Sequence, residues 1–352
     1  MSPFAAALPW LAPVVAQAMA MPHAHAILLH GAAGDGLFEA AHTIAQGWLC
    51  EGASNTPPCG HCSACRATAS GQHPDLHRLA PEWLRQQWGE SPAGDVADGE
   101  GGSKSKRKPS KQIRIDEVRA AIDWVVTTSS RGRAKVVLVQ PAEAMNLQAA
   151  SALLKTLEEP PRGARLLLAA AEPERLLPTV RSRCQVLRLT PPLPNVALAW
   201  LQDQGLAQAE VLLAACSQRP LDALALSVAG VDATRWAAVP AAVFDRQPAL
   251  FAGWPAARVL EVLQKLCHDG MAMTAGAAPR FYPAQSLRRP VALASLVAWG
   301  RELSQLAQRI DHPWSEGLLV DALLDRAHRA WHGAGCQPKV EMSPFAPDRD
   351  LP

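Results

Sequence analysis

A chain of 352 residues, 49% of them hydrophobic, is too long for one compact module and has enough apolar side chains for two or three hydrophobic cores. Its 34 Lys and Arg residues nearly balance its 32 Asp and Glu residues, and the net charge of +2 argues against a strongly basic, free-standing nucleic-acid binder. Any contact with DNA is expected to be local or shared with partner proteins.

The first 22 residues are almost wholly apolar, and a signal peptide is one interpretation of them. No Lys or Arg precedes Arg66, however, so the basic n-region of a signal peptide is missing. In addition, Pro3, Pro9 and Pro13 interrupt the apolar run. We expect instead a helix that enters a globular domain. No later apolar run approaches the ~20 residues of a membrane span. The chain is therefore expected to be soluble and cytoplasmic, with no membrane partner.

Short apolar blocks alternate with helix-like segments over the first half of the chain. The blocks span residues 26–29, 136–139, 166–170 and 186–189. Apolar runs of this length are typical of strands in a parallel sheet that helices cover on both faces, which predicts an α/β core over residues 1–190. One helix is well marked because Asn146 can cap it and Pro160 can end it, and another is expected to start at Asp116.

A glycine-rich segment follows the first predicted strand. Gly31, Gly34 and Gly36 lie in the frame of a phosphate-binding loop, G-x-x-x-x-G-K-[ST]. Leu37 occupies the position of the lysine that reaches the β- and γ-phosphates, and Phe38 replaces the hydroxyl that holds magnesium. We interpret the loop as a relic of the fold, in a chain that binds no ATP of its own.

Four of the eight cysteines, Cys50, Cys59, Cys62 and Cys65, fall within sixteen residues. Thiolates on a tight glycine-containing turn can meet one ion, and four of them complete the closed tetrahedral site of structural zinc. An iron–sulfur cluster, which four thiolates can also hold, is the alternative.

The middle and the end of the chain differ in composition from the α/β core. Residues 89–111 are rich in Gly, Ser and acidic residues and then basic, which predicts a disordered insertion whose basic half could touch phosphate. From residue 191 the chain is rich in Ala and Leu without a strand pattern, which predicts helical domains. The last residues, 336–352, are expected to form a loose tail.

The strand at 136–139 would carry the second acidic motif of an ATPase at its end, where an Asp binds magnesium and a Glu orients water. The chain continues instead with Gln140, and a single carboxylate, Glu143, follows three residues later. Two independent elements that an NTP hydrolase needs are therefore missing.

Two motifs carry a resemblance to a known family. Leu-Leu-Lys-Thr-Leu-Glu-Glu-Pro-Pro at residues 153–161, followed after a predicted strand by Ser-Arg-Cys at 182–184, resembles the bacterial clamp-loader AAA+ subunits. The resemblance covers most of residues 9–190, including the four-cysteine insertion. It implies a RecA-like AAA+ core with a zinc module and two helical domains. The expected bounds are 1–190 for the core, 50–65 for the module, 191–235 for a small lid and 236–335 for an oligomerisation collar.

The family contains a hydrolysing motor subunit, gamma/tau, and a non-hydrolysing partner, and the altered loop favours the partner. The resemblance then implies a subunit of the clamp loader within the DNA polymerase III holoenzyme, a DNA-directed DNA polymerase assembly. Such a subunit supports ATP-dependent loading of the sliding clamp on primed DNA. It forms a hetero-oligomeric ring with gamma/tau-type motor subunits and a delta-type subunit, and it contacts the clamp and the DNA through this complex. The alternatives are an active gamma/tau-like motor and a zinc-bearing nucleic-acid binding module outside replication.

Ser182, Arg183 and Cys184 are the candidate catalytic residues that the resemblance implies. In the family, this motif supplies an arginine finger to the ATP of the adjacent motor subunit, so Arg183 would stabilise the charge on a neighbour's transferring phosphate. The alternative is that Arg183 only ends a helix at the surface. In the expected lid, Leu221 aligns with the family's sensor arginine, and Arg219 could substitute for it.

Overall fold

The structure is a computed structural model that describes residues 8–53, 57–89, 109–289, 292–310 and 315–332. Most of the insertion predicted at 89–111 and the tail predicted at 336–352 lie outside the described residues. The chain divides into two compact units, the first ending at Val196 and the second beginning at Ala197. The boundary expected between a lid and a collar near residue 235 stays a prediction.

In the described part of the first unit, five parallel strands form one sheet with the order β2-β3-β4-β1-β5. The strands are β1 (Ala26–His30), β2 (Leu76–Leu79), β3 (Lys135–Val139), β4 (Ala164–Ala170) and β5 (Gln185–Arg188). The four strands expected from apolar blocks are confirmed. The sequence did not predict β2, because this edge strand reads Leu-His-Arg-Leu and is only partly buried.

The strand register defines two edges of the sheet. Ala26 pairs with Leu166 and His30 with Ala170, and β5 pairs with β1 in the same direction. All strands therefore end at one edge, called here the carboxyl edge, and begin at the other, called the amino edge. Loops that follow β1, β3 and β4 meet at the carboxyl edge.

Seven helices surround this sheet among the described residues. They are α1 (Ala12–Met19), α2 (Leu37–Leu49), α3 (Ser63–Ala69), α4 (Glu82–Gln87), α5 (Ile115–Val125), α6 (Leu147–Glu158) and α7 (Pro178–Arg181). The cap predicted for α6 is confirmed, since Oδ1 of Asn146 accepts the Ala149 N–H at 2.8 Å. Helix α5 begins one residue before the expected Asp116.

Helices cover both faces of the sheet. Leu166 and Leu168 of β4 belong to a hydrophobic cluster with Val118 of α5 and Leu153 of α6. Because side chains alternate along a strand, Leu167 faces the other side, and α2 contacts β3 and β4 there. This burial on both faces explains the continuous apolar runs in the sequence.

The second unit contains no strand among its described residues, which confirms its predicted helical character. Its helices are α8 (Pro194–Asp203), which begins in the first unit, α9 (Ala209–Ala215), α10 (Pro220–Val228), α11 (Ala233–Phe244), α12 (Ala256–Thr274), α13 (Leu293–Ala307) and α14 (Glu316–His332). Trp236, Phe244 and Trp331 are almost fully buried in this unit.

Within the described ranges, no single helix has both the length and the hydrophobicity needed to cross a membrane. Helices α9 and α10 reach such a length only as a pair, which bends by 109° between them.

Candidate functional site

The altered phosphate loop lies at the carboxyl edge, between β1 and α2. Residues Ala33–Asp35 form a 3-10 turn there, and Gly36 precedes α2. The backbone N–H groups of Asp35 and Gly36 donate to the carbonyls of Ala32 and Ala33 at 3.1 and 3.0 Å. Two donors that could face a phosphate group are therefore used inside the loop.

Apolar side chains from the start of the chain pack against this loop. Gly36 has a φ of +93°, and a Cβ on it would lie 2.8 Å from Cδ1 of Leu8. The Trp10 indole N–H donates to the Asp35 carbonyl at 2.7 Å. Leu37 is fully buried and Phe38 partly buried, so a lysine at position 37 would start inside the core. Gly31 and Gly34 are also enclosed, being half-buried and buried.

Glu143 is the one carboxylate near the end of β3, and one of its two oxygens is engaged by backbone N–H groups. Gln140 is fully buried, and its side-chain amide has no hydrogen-bond partner among the described residues. Glu143 Oε1 accepts the backbone N–H groups of Ala171 and Glu172, just beyond β4, at 2.9 and 3.2 Å. Glu143 therefore links two neighbouring strand ends through Oε1, while its buried Oε2 has no hydrogen-bond partner among the described residues.

The cysteine cluster is the second feature of the site. The Sγ atoms of Cys50, Cys59, Cys62 and Cys65 all lie within 4.8 Å of one another, and those of Cys59 and Cys65 are 3.9 Å apart. Four thiolates about 2.3 Å from one zinc ion would be separated by about 3.8 Å, so the cluster has the size of a single-ion site. All four cysteines are free thiols. The four side chains could hold a metal.

Backbone N–H groups point at the sulfurs of this cluster. The N–H of Cys62 donates to Sγ of Cys59 at 3.4 Å, and the N–H of Cys65 to Sγ of Cys62 at 3.3 Å. These bonds favour a thiolate, and the Cys62 and His61 backbone N–H groups hold the pKa of Cys59 below its usual range. Gly52 allows the close packing, because a Cβ there would lie 2.7 Å from Sγ of Cys59.

An ion pair attaches the cluster to the loop after α5. Arg131 donates to both carboxylate oxygens of Glu51, at 2.5 and 2.8 Å, and to the hydroxyl of Ser63 at 2.7 Å. This hydrogen bonding lowers the pKa of Glu51 to about 2. The buried carboxylate of Asp75 holds the same loop through the N–H groups of Ser130 and Arg131. Sequence patterns contained no signal for these contacts.

Arg183 lies at the opposite side of the sheet from the altered phosphate loop. It lies between α7 and β5, two residues before β5 begins, which places it at the amino edge. Its side chain is 34% exposed and pairs with Glu158, the last residue of α6, with 2.6 Å from Nε to Oε1. Nη1 donates to the Thr179 carbonyl at 2.9 Å.

The two flanking residues of the motif have different surroundings. The Ser182 hydroxyl is exposed and donates to the Thr179 carbonyl at 3.1 Å. Cys184 is buried in the cluster around α5 and α6, and this burial raises the pKa of its thiol to about 12. Cys184 therefore packs in the core and holds the position of Arg183, and its thiol stays protonated at neutral pH.

In the second unit, Nη1 of Arg219 lies 3.9 Å from a carboxylate oxygen of Asp222. This pair is internal to the unit. The suggested substitution of Arg219 for a sensor arginine stays a prediction.

A sequence model described as DNA polymerase III, delta subunit, matches residues 14–192, just over half of the chain. The chain belongs to this family. The five strands of its parallel sheet and the four-cysteine cluster all lie within the matched residues.

Named relatives agree with this assignment. The chain is 40% identical to DNA polymerase III subunit delta′ of Pseudomonas aeruginosa over 219 residues, 60% of this chain and 58% of the relative. It is 35% identical to subunit delta′ of Escherichia coli over 211 residues, 59% and 56% of the two chains. Subunit tau of Escherichia coli is 31% identical over 160 residues, 46% of this chain and 20% of tau.

The matches thus span a little under 60% of the delta′ relatives' own length. These relatives confirm the resemblance to clamp-loader subunits that the two sequence motifs carried, and the delta′ relatives agree with the partner subunit that the altered loop favoured.

Proposed function

We propose that this chain is the non-hydrolysing, delta-prime-type subunit of a sliding-clamp loader within a DNA polymerase III holoenzyme. It supports ATP-dependent loading of the clamp on primed DNA and supplies Arg183 as an arginine finger to a neighbouring motor subunit. The observation that carries the proposal is the position of Arg183. Its guanidinium is partly exposed at the amino edge, while the chain's own phosphate loop lies at the carboxyl edge.

The distance between the two edges supports action on another chain. A strand of five residues is about 16 Å long, which is far beyond the reach of an arginine side chain across the sheet. Arg183 is therefore suited to a nucleotide that a neighbouring subunit holds. A guanidinium delivered in this way stabilises the charge that spreads over the transferring phosphoryl group, an effect worth ~10³ to 10⁵ in rate in other NTPases.

The altered loop supports the non-hydrolysing part of the proposal. Leu37 is buried where a phosphate loop needs an exposed ammonium, and Glu143 is bonded to backbone N–H groups. The alternative, an active gamma/tau-like motor, requires both groups to be available. The similarity to tau is compatible with shared ancestry between the two kinds of subunit.

The proposed partners are gamma/tau-type motor subunits and a delta-type subunit in a hetero-oligomeric cytoplasmic ring. Clamp and primed DNA are reached through this complex, which suits a chain whose net charge is only +2. We assign residues 191–235 to a lid and 236–335 to an oligomerisation collar, so the lid would begin six residues before the second unit.

We assign zinc to the cysteine cluster. Sulfurs within 4.8 Å of one another suit one tetrahedral ion, whereas an iron–sulfur cluster places irons and sulfides between its thiolates and separates them further. Cys50, Cys59, Cys62 and Cys65 would hold the ion, and four thiolates leave no open position for catalysis. The zinc is therefore structural.

The test of the arginine finger is ATP turnover by the complex reconstituted with tau-type motor subunits, clamp and primed DNA. Arg183→Ala should fold and assemble normally in gel filtration but lower ATP turnover at the neighbouring site by on the order of ten-fold or more, because that site loses its in-trans positive charge. Arg183→Lys should restore only part of it, because a point charge does not reproduce the planar fork of guanidinium. Arg181→Ala removes a neighbouring exposed arginine and serves as the matched control. Unchanged turnover with Arg183→Ala would show that Arg183 is only a surface arginine.

A further inference from the structure

One ion pair joins the two motifs that carried the family resemblance. Glu158 belongs to Leu-Glu-Glu-Pro-Pro and Arg183 to Ser-Arg-Cys, 25 residues apart. Nε and Nη2 of Arg183 lie 2.6 and 2.5 Å from Oε1 of Glu158, while Nη1 lies 2.9 Å from the Thr179 carbonyl. The guanidinium is therefore held from two sides, by α6 and by α7.

Glu158 is attached to a rigid support. It is the last residue of α6, a helix that Asn146 caps at its start. Leu153 and Leu157 of the same helix are each only 1% exposed. The position of the carboxylate is thus set by a packed helix. An arginine side chain held by such a group has already lost much of the rotamer freedom that binding an anion would otherwise cost.

The pair does not use all the donors of the guanidinium. Arginine has five N–H groups in a fixed fork. Oε1 of Glu158 accepts from Nε and lies 2.5 Å from Nη2, and Thr179 and Ser182 accept from Nη1. Within the part of the chain that the structure describes, Nη2 has no contact with an acceptor other than this carboxylate oxygen. An anion approaching from solvent can therefore meet a donor without displacing Glu158.

We propose that Glu158 is a positioning residue, which holds the guanidinium of Arg183 in the orientation that meets a neighbour's phosphate. This inference rests on the arginine-finger function proposed above. Glu158 does not contact the nucleotide. It restricts the finger, so its loss should slow phosphoryl transfer in the neighbouring site without weakening ATP binding there.

The experiment uses the full chain in the reconstituted, DNA-stimulated complex. Glu158→Ala should lower kcat for ATP on the order of five-fold, the factor expected for a surface ion pair at the strong end of its range, with KM unchanged. The kcat of Glu158→Gln should lie between those of the native protein and Glu158→Ala, because the amide oxygen of Gln can still accept a hydrogen bond from Arg183. Glu159→Ala is the matched control, since Glu159 is the adjacent exposed carboxylate and makes no side-chain contact with Arg183.

A double variant separates positioning from general damage. If Glu158 acts through Arg183, Glu158→Ala should cause no further loss in the Arg183→Ala background. A kcat that is unchanged or higher with Glu158→Ala, while Arg183→Ala still slows turnover, overturns this inference and leaves the finger intact. If Arg183→Ala itself does not change turnover, the proposed arginine-finger function is refuted, and this inference is refuted with it. Equal losses from Glu158→Ala and Glu159→Ala also contradict positioning.

Discussion

His42 lies on the buried side of α2 and is only 2% exposed. Burial, together with the nearby positive charge of Arg78, lowers its pKa from 6.5 to about 4. The imidazole is therefore neutral in the folded protein at every pH above about 4, whereas it titrates near 6.5 in the unfolded chain.

This difference makes stability depend on pH. Between pH 6.5 and 4 the unfolded chain binds a proton at His42 that the folded chain does not, so the free energy of unfolding must fall as the pH falls. The contribution is at most about 1.4 kcal/mol for each pH unit in this window. In urea titrations at pH 7, 6 and 5, the native protein should lose stability more steeply than His42→Gln, which cannot titrate.

An exposed histidine provides the control. His23→Gln should follow the native protein at all three pH values, because His23 is exposed to solvent. Equal slopes for His42→Gln and the native protein would contradict the assignment of the pH dependence to this site.

Arg183 and Glu158 show what a sequence reveals about single residues. Both lie in motifs that are visible in the sequence, and the family resemblance implied a role for Arg183. Their contact was not predictable, because it depends on α6 and α7 ending at the same edge of the sheet. The same holds for Glu51 and Arg131, which are 80 residues apart.

At the scale of elements, the cysteine module is an insertion between α2 and β2. Cys50 directly follows α2, and Cys62 caps α3 by accepting the N–H of Cys65. The described residues of the module, 50–53 and 57–65, contribute no strand to the sheet. A metal bound there would order residues 50–65 and leave the sheet dependent on its own hydrophobic core.

Replacing Cys62 with Ser should therefore abolish metal binding and loosen the module. The native protein should contain about one zinc per chain by elemental analysis, and Cys62→Ser almost none. Amide hydrogen exchange should accelerate within residues 50–65 and stay slow in β1, β3 and β4. Cys216→Ser alters a buried cysteine outside the cluster and should keep the metal. Iron with visible absorption in the native protein would exclude the zinc assignment.

Elements with strong local signals were predictable. Asn146 marks the start of α6, and the apolar runs of β1, β3 and β4 mark central strands, because each of these signals is contained within a few residues. Strand β2 carries a weak signal, since its pairing with β3 supplies the stability that its own sequence lacks.

At the scale of the whole molecule, the start of the chain closes the phosphate loop. Leu8 packs against Gly36, and the Trp10 indole N–H donates to the Asp35 carbonyl. Leu37 is fully buried. A single substitution is therefore insufficient to restore a nucleotide site, because the space for a lysine side chain and a phosphate is already filled.

The isolated chain should neither bind ATP measurably in calorimetry nor hydrolyse it. Leu37→Lys should leave both results unchanged and should destabilise the fold by several kcal/mol, because it buries an unpaired ammonium. Leu37→Met conserves side-chain volume and should lower the free energy of unfolding by less than about 1.5 kcal/mol. Thermal unfolding of the two variants therefore distinguishes the effect of the buried charge from the effect of altered packing. ATP turnover by the purified chain that persists after removal of contaminating ATPases would refute the closed-loop interpretation.

The sequence by itself determined the α/β class of the first unit, the helical character of the second, the four-cysteine spacing and the loss of the working phosphate-loop residues. These features depend on local periodicity and on residue identity. Only the tertiary structure decided that Leu37 is buried, that Glu143 is bonded to the end of β4, and that Arg183 stands at the amino edge beside Glu158. Those facts depend on strand order and helix packing, which join residues far apart in the chain and leave no local pattern in it.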